Sequence, residues 1–308
     1  MKHYIEFTLL ILAIIAGCLT GLYTSFDSSF TDYVIILLLF FLFYNVSLNG
    51  LYSGFKNKKY LFTALFVNFA VIPFIAFLFS TIFSDNSTAF FVGLILYLVA
   101  PCTDWYLGFT KLAKGDVEAN SALLPFNLIF QILLIPVYLY IFTDSRISIP
   151  VDSFIEVLLF WVLAPFVTAQ IVSELIRKYK RNQWEKTSNT AELLVLISLI
   201  ILVFSIFNTN VEALLKNTSI LPQVLAVIVL FFVSTFFLAR IVSKMVAFSH
   251  KEMVSLTMTT AARNAPLMLM IALIFFSEEP IIQLILVIGI LVEFPHLILV
   301  SFLLKKKE

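Results

Sequence analysis

Ten apolar stretches, each near the length of a membrane-crossing helix, follow one another with only short polar breaks between them. They run roughly 5–24, 31–49, 60–83, 88–110, 119–142, 153–176, 190–207, 220–243, 252–276 and 280–303. A helix needs about 20 mostly apolar residues to cross the hydrocarbon of a bilayer. Runs such as Leu199–Phe204 and Leu225–Val233 are apolar on consecutive positions, unlike the alternating segments of outer-membrane barrels. The fold class read from this is all-α, a polytopic membrane protein of ten transmembrane helices. Composition agrees: of 308 residues, 61% are hydrophobic and 13% charged, whereas a soluble chain is nearer 45–50% and about 25%. The apolar excess has to face lipid, which excludes most soluble enzymes. Basic residues number 20 against 19 acidic ones, so no nucleic acid or other polyanionic partner is implied.

Lysine and arginine crowd into alternate breaks. One set holds Lys56, Lys58 and Lys59, then Lys111 and Lys114, then Arg177, Lys178, Lys180, Arg181 and Lys186, then Arg240, Lys244 and Lys251. Both termini belong to it through Lys2 and through Lys305, Lys306 and Lys307, and the other set holds only Arg146 and Lys216. The positive-inside rule puts the first set in the cytoplasm. The expectation is a multi-pass protein of the cell (plasma or inner) membrane with both termini cytoplasmic. Ile15-Ala16-Gly17-Cys18 also fits a lipoprotein-type cleavage site. The weak charge before it favours the other reading, in which these small residues let helix 1 pack closely on a neighbour.

Ten spans divide into five and five near residue 150, and halves of odd number have opposite orientation. The expected organisation is a single domain over 1–308 built from inverted repeats of approximately 1–150 and 151–308. A constant shift lays Leu133-Leu134-Ile135-Pro136 against Val292-Glu293-Phe294-Pro295, and Cys102-Thr103-Asp104-Trp105 against Ala261-Ala262-Arg263-Asn264. Spans 4 and 9 each carry a proline near the middle, Pro101 and Pro266, with polar residues beside it. A mid-helix proline removes one donor and clashes with the carbonyl four residues back, here Tyr97 and Ala262. Irregular backbone at membrane depth survives only inside protein or beside a water-filled cavity. Broken helices 4 and 9 therefore point to a substrate site at the midplane. Asp104, Arg263 and Glu293 lie deep in apolar stretches, where charges are costly and mark function. The plain alternative for Asp104 and Arg263 is a charge pair between helices.

These residues resemble the bile acid:sodium symporter superfamily, and more closely its arsenite-efflux permease branch. The resemblance rests on Ala100-Pro101-Cys102-Thr103 followed by Lys114-Gly115-Asp116, on Asn264 in span 9, and on Gly289-Ile290-Leu291-Val292-Glu293-Phe294-Pro295 in the last span. It implies a secondary transporter in which the span-4 cysteine and span-10 glutamate, here Cys102 and Glu293, are required. The chemistry is coherent, because trivalent arsenic is soft and a thiol is a soft ligand. One thiol binds transiently where three would trap the solute. Glu293 would take up and release a proton or polarise the bound hydroxide. The expected substrate-binding residues are Cys102, Thr103, Asp104, Arg263 and Asn264, with Glu293 for coupling to a proton or sodium. No resident metal or cofactor is expected.

Two departures keep an alternative open. Asp104-Trp105-Tyr106 follows the Pro-Cys-Thr sequence, where the arsenite branch has small or apolar residues. Arg263 with the Asn264 amide would suit an oxyanion or carboxylate, as in a sodium-coupled transporter of a small organic anion. Against sodium, the symporter branch's Gly-Gly break and its span-9 acidic signature are absent, although Thr103, Asp104, Asn68 and Asn264 offer oxygens. An intramembrane enzyme is disfavoured: His3, His250 and His296 are too scattered for a metalloprotease helix.

Overall fold

The computed structural model describes residues 2–24, 31–46, 55–84, 87–103, 106–143, 158–216 and 220–305. Among the described residues every regular element is helical, as a backbone in lipid requires when it must satisfy its own donors and acceptors. Among the described residues five helices are long and apolar enough to cross a membrane: Lys58–Phe83, Val117–Phe142, Trp184–Thr209, Ile220–Met245 and Pro280–Leu304. Shorter apolar helices cover Thr8–Gly21, Tyr33–Tyr44, Thr88–Val99 and Ala265–Phe275.

The chain divides into two compact units, and each takes one segment from either side of residue 147. The first comprises Met1–Val46 and Ser148–Thr218. It contains α1 (Lys2–Gly21), α2 (Thr31–Tyr44), α3 (Ala164–Tyr179) and α4 (Trp184–Thr209). α1 lies against α4 and α2 against both α3 and α4. Small residues make the α1 contact possible, since a Cβ on Gly17 would sit 2.6 Å from the Phe204 carbonyl oxygen. Cys18 belongs to this same face-packed helix and is half-buried.

The second unit comprises Ser47–Ile147 and Ser219–Glu308. Its helices are α5 (Lys58–Phe83), α6 (Thr88–Val99), α7 (Tyr106–Leu112), α8 (Val117–Thr143), α9 (Ile220–Met245), α10 (His250–Ala261), α11 (Ala265–Phe275) and α12 (Pro280–Leu304). α6 packs on α5 and α12, α9 on α10, and α11 on α12. The start of α10 is a capping box: the Ser249 side chain accepts from the Glu252 amide while Glu252 accepts from Ser249.

α5 shows how a membrane helix absorbs a proline. Pro73 has no N–H, which orphans the carbonyl of Phe69 four residues earlier. The helix widens into a π turn over Val67–Val71, and the Tyr138 hydroxyl donates to the Phe69 oxygen at 2.6 Å. Tyr138→Phe leaves that carbonyl without its donor. The variant is expected to lose about 1–3 kcal/mol of stability, read as a lower thermal midpoint in detergent with the helix content unchanged.

Candidate functional site

α6 stops at Val99 because Ala100 is extended, φ −93° and ψ 109°. α10 stops at Ala261 because Ala262 is extended too, φ −77° and ψ 135°. The two extended segments lie antiparallel and pair, with Pro101 opposite Arg263. Cys102 N–H donates to Ala262 O at 3.1 Å, and Asn264 N–H donates to Ala100 O at 2.9 Å. These bonds flank the Pro101–Arg263 pair, so the ladder asks no donor of Pro101. Pro266 occupies the first turn of α11, where a missing N–H is harmless. The Asn264 side chain caps that turn by accepting from Leu267 N–H at 3.4 Å. Neither proline therefore lies inside a continuous helix. The expected clash with the Tyr97 and Ala262 carbonyls does not arise, because α6 ends before Pro101 and Pro266 falls in the first turn of α11.

Several of the expected site residues meet at this pairing, and all are buried: Cys102, Thr103, Arg263, Asn264 and Glu293. One peptide group ties two of them together. The carbonyl of Ala262 accepts from Cys102 N–H at 3.1 Å. The N–H of the same Ala262–Arg263 peptide donates to Glu293 Oε1, also at 3.1 Å. The cysteine backbone and the carboxylate are thus fixed to opposite sides of one rigid plane. Asp104 and Trp105 lie outside the described residues. Cys18 belongs to the other compact unit.

Around this junction sits a set of neutral polar side chains that the sequence reading largely missed. Asn264 Nδ2 donates to Thr103 Oγ1 at 3.1 Å and to Gln131 Oε1 at 3.2 Å. Asn127 Nδ2 reaches the Cys102 carbonyl at 3.5 Å and Thr259 Oγ1 at 3.4 Å, while Asn68 Nδ2 donates to Thr259 Oγ1 at 3.1 Å. Asn68 Oδ1, Asn127 Oδ1 and Gln131 Nε2 are buried with no hydrogen-bond partner. Two acceptors and one donor left unmade in a dry interior are expensive. They suit a polar guest or ordered water. Asn127 and Gln131 stand four residues apart on α8 and so share one face of the helix. That spacing was visible in the sequence.

Arg263 takes a different part from the one expected. Its guanidinium was set beside the Asn264 amide to hold an anion. Instead Nη1 donates to Leu98 O at 2.9 Å, and Nη2 donates to Thr259 O at 3.1 Å and Thr260 O at 2.7 Å. The two side chains part, Asn264 to Thr103 and Gln131, Arg263 to backbone carbonyls.

The remaining motif residues are architectural. Gly289 lets the ring of Tyr97 lie against α12, and the Tyr97 hydroxyl donates to Gly289 O at 2.9 Å. In Lys114-Gly115-Asp116, Lys114 is left-handed with φ 61°, and Gly115 N–H closes α7 on Thr110 O at 2.9 Å. Asp116 Oδ1 then caps α8 by accepting from Ala119 N–H at 3.0 Å.

A model of the Sodium Bile acid symporter family matches residues 33–217, more than half of the chain. The chain belongs to this family. It is therefore a membrane protein of a transporter family, with a small solute as its cargo. The chain is also similar to the arsenical-resistance protein Acr3 of Corynebacterium glutamicum, 23% identical over 255 residues, which is 79% of this chain and 69% of that protein. The resemblance of this family member to the arsenical-resistance branch thus extends over most of its length.

Proposed function

We propose that the protein is a secondary transporter that exports arsenite or a related trivalent metalloid from the cytoplasm. In this reading ten spans form two inverted five-helix repeats in the cell membrane, with both termini cytoplasmic. α6 with α7 makes broken helix 4, and α10 with α11 makes broken helix 9. The interleaved make-up of the two compact units supports the repeat, since each half of the chain contributes one segment to each.

The observation that carries the mechanism is the Ala262–Arg263 peptide group, which links the Cys102 amide to the Glu293 carboxylate. Cargo held on Cys102 is thereby mechanically coupled to the protonation of Glu293. The thiol sulfur displaces one hydroxyl of the neutral trihydroxide, forming one S–As bond and breaking one As–O bond. The thiol proton leaves with that hydroxyl as water. The reverse step, taking up one water, returns the free thiol and the trihydroxide on the other side. Thr103, Asn127, Gln131 and Asn264 offer hydrogen bonds to the hydroxyls that remain. Proton exchange at Glu293 in antiport with the cargo provides the driving force.

Arsenite export in everted vesicles tests this. Cys102→Ala and Cys102→Ser are expected to fall to the rate of empty vesicles, and the host to lose arsenite resistance. Serine keeps the size and hydrogen bonding but is a hard ligand. Full export by the serine variant would remove the thiol from the mechanism. Uptake of a labelled small carboxylate that needs Arg263 but not Cys102 would favour the organic-anion reading instead.

A further inference from the structure

Among the described residues Arg263 is the largest that is completely buried. A full charge there needs a reason, because isolated cations are costly inside a membrane protein. Its three hydrogen-bond acceptors share one property. Leu98 lies in the last turn of α6, and Thr259 and Thr260 lie in the last turn of α10. Carbonyls in a last turn lack helical partners, and they carry the negative end of the helix dipole. Two such ends converge on one guanidinium, at 2.7–3.1 Å. The Glu293 carboxylate is held at the same residue's own N–H, and the Phe231 ring lies 5.6 Å from Cζ.

Orphan carbonyls at helix C-termini are the kind of ligand set by which broken-helix carriers hold a small coupling cation. In this chain the set is already filled by a side chain. We infer that Arg263 is a resident cation, tethered where a metal ion would otherwise bind, and that the transport cycle consequently runs without sodium.

The neighbouring polar cluster agrees with that assignment. Thr259 joins the two, because its carbonyl accepts from Arg263 while its hydroxyl accepts from Asn68 and Asn127. The Asn68, Asn127 and Gln131 side chains are neutral, so nothing in them offsets the repulsion a second cation would feel from the guanidinium. The cluster is fit for an uncharged hydroxylated guest. A tethered charge also differs from a soluble ion in its cycle. It cannot be released to either side, so it holds the crossing together but carries no gradient energy. That leaves Glu293 as the exchangeable group at the crossing. This inference concerns the coupling cation and stands whichever solute is carried.

The test therefore reads stability and needs no substrate. Purified protein in nanodiscs is melted in sodium or potassium chloride at equal ionic strength. The wild type is expected to show the same midpoint in both salts. Arg263→Ala exposes the carbonyl set. It is expected to melt lower in potassium and to regain about 5 °C in about 100 mM sodium, as specific ion binding to the native state requires. Arg263→Lys retains a cation on the tether and is expected to remain indifferent to sodium. Sodium-specific stabilisation of the wild type overturns the inference, as does an Arg263→Ala variant that melts alike in both salts. Should the alanine variant not fold, transport by wild-type vesicles decides. Equal rates with and without a sodium gradient support the resident cation, and a requirement for sodium overturns it.

Discussion

Replacing Glu293 by glutamine is expected to abolish transport while leaving a folded protein in the membrane. The two side chains have the same length and shape. Glutamine keeps an oxygen that accepts from Arg263 N–H, so the 3.1 Å bond that joins α12 to the pairing is retained. What it loses is the negative charge and the ability to exchange a proton. The variant also removes a negative charge from the neighbourhood of the buried Arg263 cation. The guanidinium keeps its three helix carbonyls, so what is lost is the attraction of a nearby negative charge and not a direct ion pair. A lower thermal midpoint is therefore part of the expected result, and transport has to be normalised to folded protein. Export per folded molecule should fall to background across the pH range. Glu293→Asp withdraws the carboxylate by one methylene and is expected to keep partial activity. If the glutamine variant exports at the wild-type rate, Glu293 is a hydrogen-bonding strut and the coupling group lies elsewhere.

The sequence was most readable where a single physical demand acts along the chain. Hydrocarbon thickness forces long apolar runs, so apolar stretches such as 119–142 and 280–303 fall on the helices Val117–Phe142 and Pro280–Leu304. The positions of the helix interruptions were readable from Pro101 and Pro266, yet their meaning was not. A proline announces a missing donor and cannot say whether the neighbourhood requires one. Pro101 faces Arg263 in a pairing that uses neither residue's donor, and Pro266 opens a helix. The pairing joins residues far apart in sequence, as does the Asn264–Thr103 bond between residues 161 apart, and no local pattern encodes that. Arg263 is the clearest case. Its burial was foreseeable, but its partners are backbone carbonyls, which every residue type carries and none advertises. The neutral amides escaped for the opposite reason: Asn127 and Gln131 carry no charge, so they do not stand out in an apolar span.

Adding one methyl group to Gly289 is expected to cost more than the same change at Gly93 or Gly115. A Cβ on Gly289 would overlap three ring atoms of Tyr97. Tyr97 is fully buried, with its hydroxyl bonded to the Gly289 carbonyl, so the ring has nowhere to retreat. Glycine to alanine inside a helix normally gains about 0.5–1 kcal/mol, and overpacking of this severity costs about 1–3 kcal/mol or more. The net loss should be about 2 kcal/mol for alanine and should prevent folding for leucine. The consequence reaches the site, because Tyr97 lies next to Leu98, whose carbonyl binds Arg263, and Glu293 is one helical turn beyond Gly289. Pushing α12 away from α6 separates the carboxylate from the Arg263 amide. Transport should therefore fall along with stability. A double variant, Gly289→Ala with Tyr97→Leu, removes the colliding ring atoms, and its melting midpoint is expected to recover beyond additivity. Simple addition of the two losses would mean that Gly289 matters for some reason other than the approach of Tyr97.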